Sequence, residues 1–153
     1  MSSLTTDSVV YIVVHSSNTK PRQKVNKAYI ERQHRLKGRL WIGFHFVLDR
    51  RGNIETGRSL DQVGAHAPGF DSQSIGICLA GGMDQEGYPA DNFTKEQRDN
   101  LLTLLTYLHT QFPQAIVVGH RDLPNATTTC PQFDVQQFLK ESGYVTPLQS
   151  MAR

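Results

Sequence analysis

The sequence predicts an α/β fold in a single domain, with strands and helices alternating along the chain. Three short runs rich in apolar and β-branched residues, at 11–14, 74–79 and 115–118, have the composition of buried strands. Two longer stretches between them have the apolar spacing of helices. The 153 residues suit one compact domain without repeats or a linker. We therefore expect one domain over 1–153, with a core from about residue 9 to 142 and polar termini, including a tail after Pro147.

The first half of the chain adds a helix and a hairpin to the first strand. Residues 25–37 carry a partial apolar stripe, and Gly38 suits a helix C-terminus. The runs 44–48 and 54–56 flank a polar turn in which Gly52 can take the positive φ that hairpin turns need.

The second half contains the most regular helical pattern. Residues 57–69 form a loop of mostly small and polar residues, and a helix then begins at Thr94, which makes a capping box with Gln97. Pro113 ends this helix, and a short helix is expected over 135–140. The residues that repeat at helical spacing and define its buried face are Leu101, Leu104, Leu105, Leu108 and Phe112.

Two histidines and a cysteine point to a metal site. His15 and His120 each follow a predicted strand directly, and Cys130 comes ten positions after His120, next to Pro131. Functional groups gather at strand ends in open α/β sheets, so neighbouring strands would bring the two imidazoles together. Imidazole and thiolate are ligands that zinc prefers, and three protein ligands are typical of catalytic zinc. The sequence thus predicts one catalytic Zn²⁺ on His15, His120 and Cys130.

The composition argues against several other classes. No stretch approaches the roughly 18 consecutive apolar residues of a membrane span. The start, Met1–Asp7, lacks the basic and apolar regions of a secretory signal. Cys78 lies inside a predicted strand, so we expect a small core residue there rather than a disulfide with Cys130.

The net charge of +2 is unevenly distributed. Residues 20–39, which we call the basic segment, hold eight of the 16 Lys and Arg residues and one acid, Glu31. The eight are Lys20, Arg22, Lys24, Lys27, Arg32, Arg35, Lys37 and Arg39. The segment is either a solvated helix face or a surface for an anionic polymer or a protein partner. Nucleic acid is the less favoured partner, because interleaved aromatics and a known docking motif are missing.

A series of short motifs runs from about Tyr11 to Asp134. In order, the motifs are Val14-His15-Ser16-Ser17, Gly43-Phe44-His45-Phe46, Gly57-Arg58, Gly64-Ala65-His66, Ser74-Ile75-Gly76-Ile77, Phe93-Thr94 with Gln97, Gly119-His120-Arg121-Asp122 and Cys130-Pro131 with Phe133-Asp134. In order and spacing this series resembles the zinc-dependent N-acetylmuramoyl-L-alanine amidases (type 2 amidases), which include small phage endolysins and the peptidoglycan recognition proteins.

The resemblance implies a mixed β-sheet flanked by helices and a zinc-floored groove that binds a muropeptide. The family's zinc ligands carry over to His15, His120 and Cys130. The implied reaction is hydrolysis of the amide between N-acetylmuramic acid and L-alanine in bacterial peptidoglycan, with zinc polarising the carbonyl and activating water. The implied setting is a monomeric, bacteriolytic phage endolysin that is made in the host cytoplasm and reaches the cell wall after release.

The sequence departs from the family at two positions near the site. Phe44 stands where members commonly have Tyr, and Thr128 stands where phage members have Lys, as in the recognition-protein branch. We expect Thr128 to act as a catalytic donor or to position water, and we expect Phe44 and His66 at the substrate. His45 alternates with Phe44 on a strand, so it either contacts substrate or is a structural histidine.

Four further residues can be explained by ordinary structural roles. His34 and His109 lie in helical segments and are expected to be surface or packing residues. Arg121 and Asp122 either brace the metal loop or form a surface ion pair.

Two other functions compete with a zinc amidase. The first is a non-catalytic muropeptide-binding module, suggested by Phe44, although a pure binder has no use for Cys130 in a complete open zinc site. The second is a structural-zinc or partner-binding protein that uses the basic segment, such as a polymerase regulator, a role that related phage enzymes can also have.

Overall fold

The computed structural model describes residues 3–146, so Met1, Ser2 and the predicted tail after Pro147 lie outside the described residues. Its strands are β1 (Tyr11–Ser16), β2 (Phe46–Leu48), β3 (Ile54–Thr56), β4 (Ser74–Leu79) and β5 (Ile116–Gly119). Its α-helices are α1 (Lys27–Leu36), α2 (Lys95–Gln111) and α3 (Val135–Glu141). The single-domain α/β architecture predicted from the sequence is confirmed.

The strands form one mixed sheet in the order β3-β2-β4-β1-β5. β1 lies between β4 and β5 and pairs with both in parallel, β2 pairs with β4 in parallel, and β3 pairs with β2 antiparallel. The antiparallel pair is the predicted hairpin, and Gly52 in its turn has the expected positive φ of 84°. β1, which carries His15, therefore lies inside the sheet with a parallel neighbour on each side.

Helix α2 covers one face of the sheet with the leucine stripe that the sequence predicts. This face of β1 presents Ile12 and Val14, and α3 adds Val135 and Leu139 to the same core. The leucines of α2 in this core are Leu101, Leu104, Leu105 and Leu108, all at most 4% exposed. Because side chains alternate along a strand, this core leaves the neighbouring positions, including His15, to the opposite face.

Helix α1 packs against that opposite face. Ile30 of α1 joins a smaller core with Phe44, Val47 and Cys78. Asn26 caps the helix by accepting a hydrogen bond from the Tyr29 backbone N–H at 2.9 Å, so α1 starts two residues later than predicted.

The capping box at the start of α2 also ties the helix to the sheet. The Thr94 side chain accepts from the Gln97 backbone N–H at 3.1 Å, and Gln97 Oε1 accepts from the Thr94 N–H at 3.0 Å. Gln97 is 0% exposed, and its Nε2 donates to the carbonyls of Ala80, at 2.8 Å, and Leu48, at 3.2 Å. One side chain thus satisfies backbone groups at the ends of β2, β4 and α2.

The basic segment lies on and around α1. Leu36 and Leu40, inside and next to the segment, are 74% and 91% exposed, and Arg35 pairs with Glu31 at 3.0 Å. The two alternatives for this segment, a solvated helix face or a surface for a partner, stay open predictions. None of the helices in residues 3–146 is long and apolar enough to cross a membrane.

Replacing Gln97 with Ala is expected to lower the free energy of unfolding by about 2–4 kcal/mol, because it removes hydrogen bonds to the Thr94 N–H and to the carbonyls of Leu48 and Ala80, and each such bond contributes about 0.5–1.5 kcal/mol. Thr94→Ala, which removes the helix cap but keeps the buried amide, is the matched control and is expected to cost about 1 kcal/mol. Urea unfolding measures both. A loss in Q97A no larger than that in T94A would contradict the linking role.

Candidate metal centre

The register of two parallel strands brings the two histidines together. Val14 of β1 lies opposite Gly119 of β5. The next residue in each case is a histidine: His15 is the penultimate residue of β1, and His120 directly follows β5. The two side chains therefore lie side by side, and their ring centroids are 4.6 Å apart. The predicted meeting of His15 and His120 at neighbouring strand ends is therefore confirmed.

Cys130 is fixed to the same sheet edge by backbone hydrogen bonds. Its Sγ accepts from the Ser16 backbone N–H at 3.1 Å, and its carbonyl accepts from the Arg121 N–H at 2.8 Å. The carboxylate of Asp122 accepts from the Gly119 N–H at 2.8 Å, which holds the turn that follows β5. Asp122 thus braces the metal loop, one of the two roles that the sequence left open.

The three side chains form a cluster suited to a metal ion. One ligand atom from each of His15, His120 and Cys130 lies within 4.8 Å of the other two. A tetrahedral zinc site with bonds of about 2.0–2.3 Å separates its ligand atoms by roughly 3.5 Å, so small side-chain movements suffice to bring them to one ion. His15 and Cys130 are buried at 3% and 4% exposure, while His120 is half-buried.

The electrostatics of the cluster suit metal binding. Burial lowers the pKa of His15 well below its ordinary value, and the neighbouring His66 and His120 lower it further. Burial also lowers the pKa of His120, with Asp71 acting in the opposite direction. Both imidazoles are therefore neutral at pH 7 and keep a lone pair for a metal.

The thiol of Cys130 is the group that a cation would change most. Burial raises its pKa, although the hydrogen bonds from Ser16 act in the opposite direction. A bound divalent ion deprotonates a coordinating thiol. Two neutral imidazoles and one sulfur, with no carboxylate in the cluster, match the preferences of zinc rather than those of magnesium or calcium.

A groove of about 290 Å³ lies beside the cluster, between α1 and the segment that follows β1. Phe44 and Ser16 connect the two sites: the Phe44 ring centroid is 5.0 Å from that of His15, and Ser16 donates to Cys130. The other lining residues are Ser17, Asn18, Thr19, Tyr29, Ile30, Gln33, His34, Lys37 and Cys78. The groove offers hydroxyls, amides, one cation and two aromatic rings to a ligand.

Among the predicted substrate and catalytic residues, Phe44 alone lines this groove. Thr128 is half-buried, and its Oγ1 accepts from the Cys130 backbone N–H at 3.0 Å. This bond leaves the hydroxyl proton of Thr128 able to donate.

His45 and His66 are buried behind the groove. His45 is 0% exposed; its Nδ1 accepts from the Gly76 N–H at 3.0 Å and its Nε2 contacts the Gln62 carbonyl at 2.7 Å. The His66 side chain is also 0% exposed, and its Nδ1 lies 2.9 Å from Nε2 of His15. The structure gives neither side chain a surface for substrate, and the satisfied structural role is the alternative that fits His45.

Residues 57–69, which show no regular pattern, are held by side-chain bonds to backbone. Arg58 donates to the carbonyls of Ile42, at 2.9 Å, and Val63, at 2.7 Å, and Asp71 accepts from the N–H groups of His66 and Ala67, both at 2.9 Å. The sequence did not reveal the role of Asp71, because no local pattern shows that its carboxylate accepts from a backbone N–H five residues earlier.

The remaining histidines differ in role. His109 is buried in α2 and contacts the Ala115 carbonyl at 2.9 Å and the Tyr144 hydroxyl, as expected for a packing residue. His34 lines the groove, and its Nδ1 accepts from the Gly43 N–H at 2.9 Å. Cys78 and Cys130 are both free cysteines, and Cys78 is the small core residue that the sequence predicts.

Comparison with known proteins identifies relatives over most of the chain. A family model described as N-acetylmuramoyl-L-alanine amidase matches residues 5–133. The endolysin of Enterobacteria phage K11 is 40% identical over 133 residues, 87% of each chain. The solved N-acetylmuramoyl-L-alanine amidase LysC from Clostridium intestinale superposes with a TM-score of 0.74 at 27% identity, covering 89% of this chain and 86% of that one. A Drosophila PGRP-LB mutant in complex with tracheal cytotoxin gives 0.69 at 25% identity, covering 90% and 82%.

The stability of the protein is expected to fall between pH 6.5 and 4 in part through His34. Burial lowers its pKa to about 4, and Arg39, Lys37 and Arg58 contribute. An unfolded histidine has a pKa of about 6.5, so the unfolded chain binds more protons in this range and the free energy of unfolding decreases as the pH falls.

His34→Asn tests this, because Asn keeps an acceptor for the Gly43 N–H and cannot titrate. Urea unfolding at pH 7 and pH 5, with a chelator present, should show a smaller loss of stability for H34N than for the wild type. An equal loss in both would contradict the assignment.

Proposed function

The chain belongs to the N-acetylmuramoyl-L-alanine amidase family, and on this premise we propose that it hydrolyses the amide between N-acetylmuramic acid and L-alanine in bacterial peptidoglycan, using one zinc ion on His15, His120 and Cys130. The observation that carries the proposal is the convergence of these three ligand atoms within 4.8 Å beside an open groove. Phage endolysins at about 40% identity and amidases of the same fold support the activity.

The residues around the cluster suit a hydrolytic site. When bound, zinc supplies Lewis-acid polarisation of the scissile carbonyl and activation of water. Ser16, which lines the groove, holds Cys130 Sγ through its N–H at 3.1 Å, so the thiolate would lie at a fixed position beside the groove. The half-buried His120 leaves one side of the cluster accessible from solvent, which fits a catalytic site that keeps one position free.

The groove has the chemistry to hold a muropeptide. Ser17, Asn18 and Gln33 can bond to sugar hydroxyls and peptide amides, and Lys37 can pair with a carboxylate of the stem peptide. Phe44 presents an apolar ring where the family commonly has Tyr, so it contributes contact but no hydrogen bond. The binding of tracheal cytotoxin by PGRP-LB, a protein of the same fold, supports a ligand of this kind.

Thr128 is the donor that the site has in place of a lysine or tyrosine. Its oxygen accepts from the Cys130 N–H, so its proton is free for the oxyanion that develops on the scissile carbonyl. In this proposal the Thr128 hydroxyl stabilises the negative charge on the oxyanion, and the hydrogen bond from the Cys130 N–H orients the hydroxyl.

The phage relatives suggest where this reaction takes place. We place synthesis in the cytoplasm of a bacterial host and action on the cell wall after release, as for an endolysin. The non-catalytic binding module is the alternative that a direct activity measurement separates from this proposal.

Purified, zinc-loaded protein incubated with peptidoglycan is expected to release new amino termini of L-alanine, detected by amine labelling and mass spectrometry. A chelator should abolish the release and added zinc should restore it. No release from the loaded protein would contradict the amidase activity, and release that a chelator leaves unchanged would contradict the zinc mechanism.

The ligand assignment has a matched cysteine pair as its control. Cys130→Ser removes the sulfur of the cluster, whereas Cys78→Ser changes the other buried cysteine, which lies outside the cluster. Elemental analysis should find about one equivalent of zinc in the wild type and C78S and a large loss in C130S. Equal zinc content in C130S and C78S would contradict the assignment.

Thr128→Val is expected to lower kcat by about 10²–10³-fold, the usual effect of losing one oxyanion donor. Thr128→Ser keeps the hydroxyl and should retain most of kcat. Zinc affinity is measured in both variants, because Thr128 also contacts the Cys130 backbone. A wild-type kcat in T128V, or a loss explained by weaker zinc binding alone, would contradict the role of Thr128.

A further inference from the structure

His66 is in contact with a proposed ligand but lies outside the cluster itself. Its Nδ1 is 2.9 Å from Nε2 of His15, and its side chain is 0% exposed. His15 has two ring nitrogens, so the one that faces His66 is engaged and the other, Nδ1, remains for a metal. The direction of the bond between the two rings decides whether Nδ1 of His15 carries a lone pair or a proton.

The hydrogen bonds on the far side of His66 indicate that direction. Ser74 Oγ donates its proton to the Phe70 carbonyl at 2.8 Å. The same oxygen lies 3.3 Å from Nε2 of His66, so with its proton committed it accepts from His66 Nε2–H. The carboxylate of Asp71, 3.9 Å from Nε2, also favours a proton there.

A proton on Nε2 leaves Nδ1 of the neutral His66 ring as an acceptor. It then accepts from His15 Nε2–H, and His15 presents the lone pair of its Nδ1 to the metal. The reverse direction would place a proton on Nδ1 of His15 and occupy its other nitrogen, so His15 could not bind zinc.

We propose that His66 is a positioning residue that fixes His15 as the Nε2–H tautomer and holds its ring for zinc, with Ser74 fixing His66 in turn. This inference rests on the zinc site proposed above. Ligating histidines usually donate their second N–H to a carboxylate, a carbonyl or water. Here a buried neutral imidazole takes that place.

Two glycines make room for the His66 ring. A Cβ on Gly76 of β4 would lie 2.6 Å from Cγ of His66, and a Cβ on Gly64 would lie 2.7 Å from its Cδ2. The backbone on either side is held by Asp71, which accepts from the N–H groups of His66 and Ala67. The ring is therefore closely confined by the backbone of Gly64 and Gly76, as a positioning group must be.

Two amide substitutions separate hydrogen bonding from packing. In His66→Asn, Oδ1 stands where Nδ1 of the imidazole stood and can still accept from His15. In His66→Gln, the amide lies at the position of Nε2 and the acceptor is lost. His109→Gln alters another buried, doubly bonded histidine that is in a different part of the fold and serves as the control.

Zinc affinity by competition with a chelator of known affinity is the first readout. H66Q is expected to bind zinc about 10–100-fold more weakly than the wild type, the usual cost of losing such a partner, while H66N and H109Q stay near the wild-type value. Wild-type affinity in H66Q, or equal losses in H66N and H66Q, would overturn the positioning role. A wild type that binds no zinc would overturn the metal proposal itself and this inference with it.

The second readout is the tautomer, measured by ¹⁵N–¹H correlation NMR on the zinc-free wild type. The expected spectrum shows protons on Nε2 of both His15 and His66, and in Ser74→Ala the His66 ring should populate the other tautomer. A proton on Nδ1 of His15 in the wild type would overturn the proposal without affecting the amidase assay.

Discussion

The site depends on the parallel pairing of β1 with β5. Residues far apart in sequence meet because Val14 and Gly119 are in register, which places a histidine from each strand at the same edge of the sheet. A slip of one residue would turn one imidazole to the α2 face, where it would be buried among leucines. The apolar contacts that fix the register of the sheet therefore also bring two of the proposed metal ligands together.

Backbone hydrogen bonds hold the sulfur beside this pair. Ser16, directly after His15, donates its N–H to Cys130 Sγ, and Arg121, directly after His120, donates its N–H to the Cys130 carbonyl. Each histidine thus has a neighbour in sequence that holds the cysteine. This arrangement explains how a loop of nine residues between His120 and Cys130 can present its thiol at a defined position.

Much of this architecture could be predicted from the sequence, because β-branched runs, the leucine stripe of α2 and the capping box are local signals. The histidines at the strand ends were predictable for the same reason. The burial of His66 could not be predicted, since it depends on Gly76 of β4 and on Asp71 in a 3₁₀ turn. The space beside Gly64 is filled by the ring of His66. The predicted start of α1 was two residues too early. Val25 is apolar and packs in the core, but it precedes Asn26, which caps the helix.

The central claim is that two imidazoles and one thiolate hold a single zinc ion with one position left open. X-ray absorption at the zinc edge of the loaded protein measures this directly. The account predicts two nitrogen scatterers at about 2.0–2.1 Å, one sulfur at about 2.3 Å and one further light atom. A spectrum without sulfur, or with two sulfurs, would contradict it.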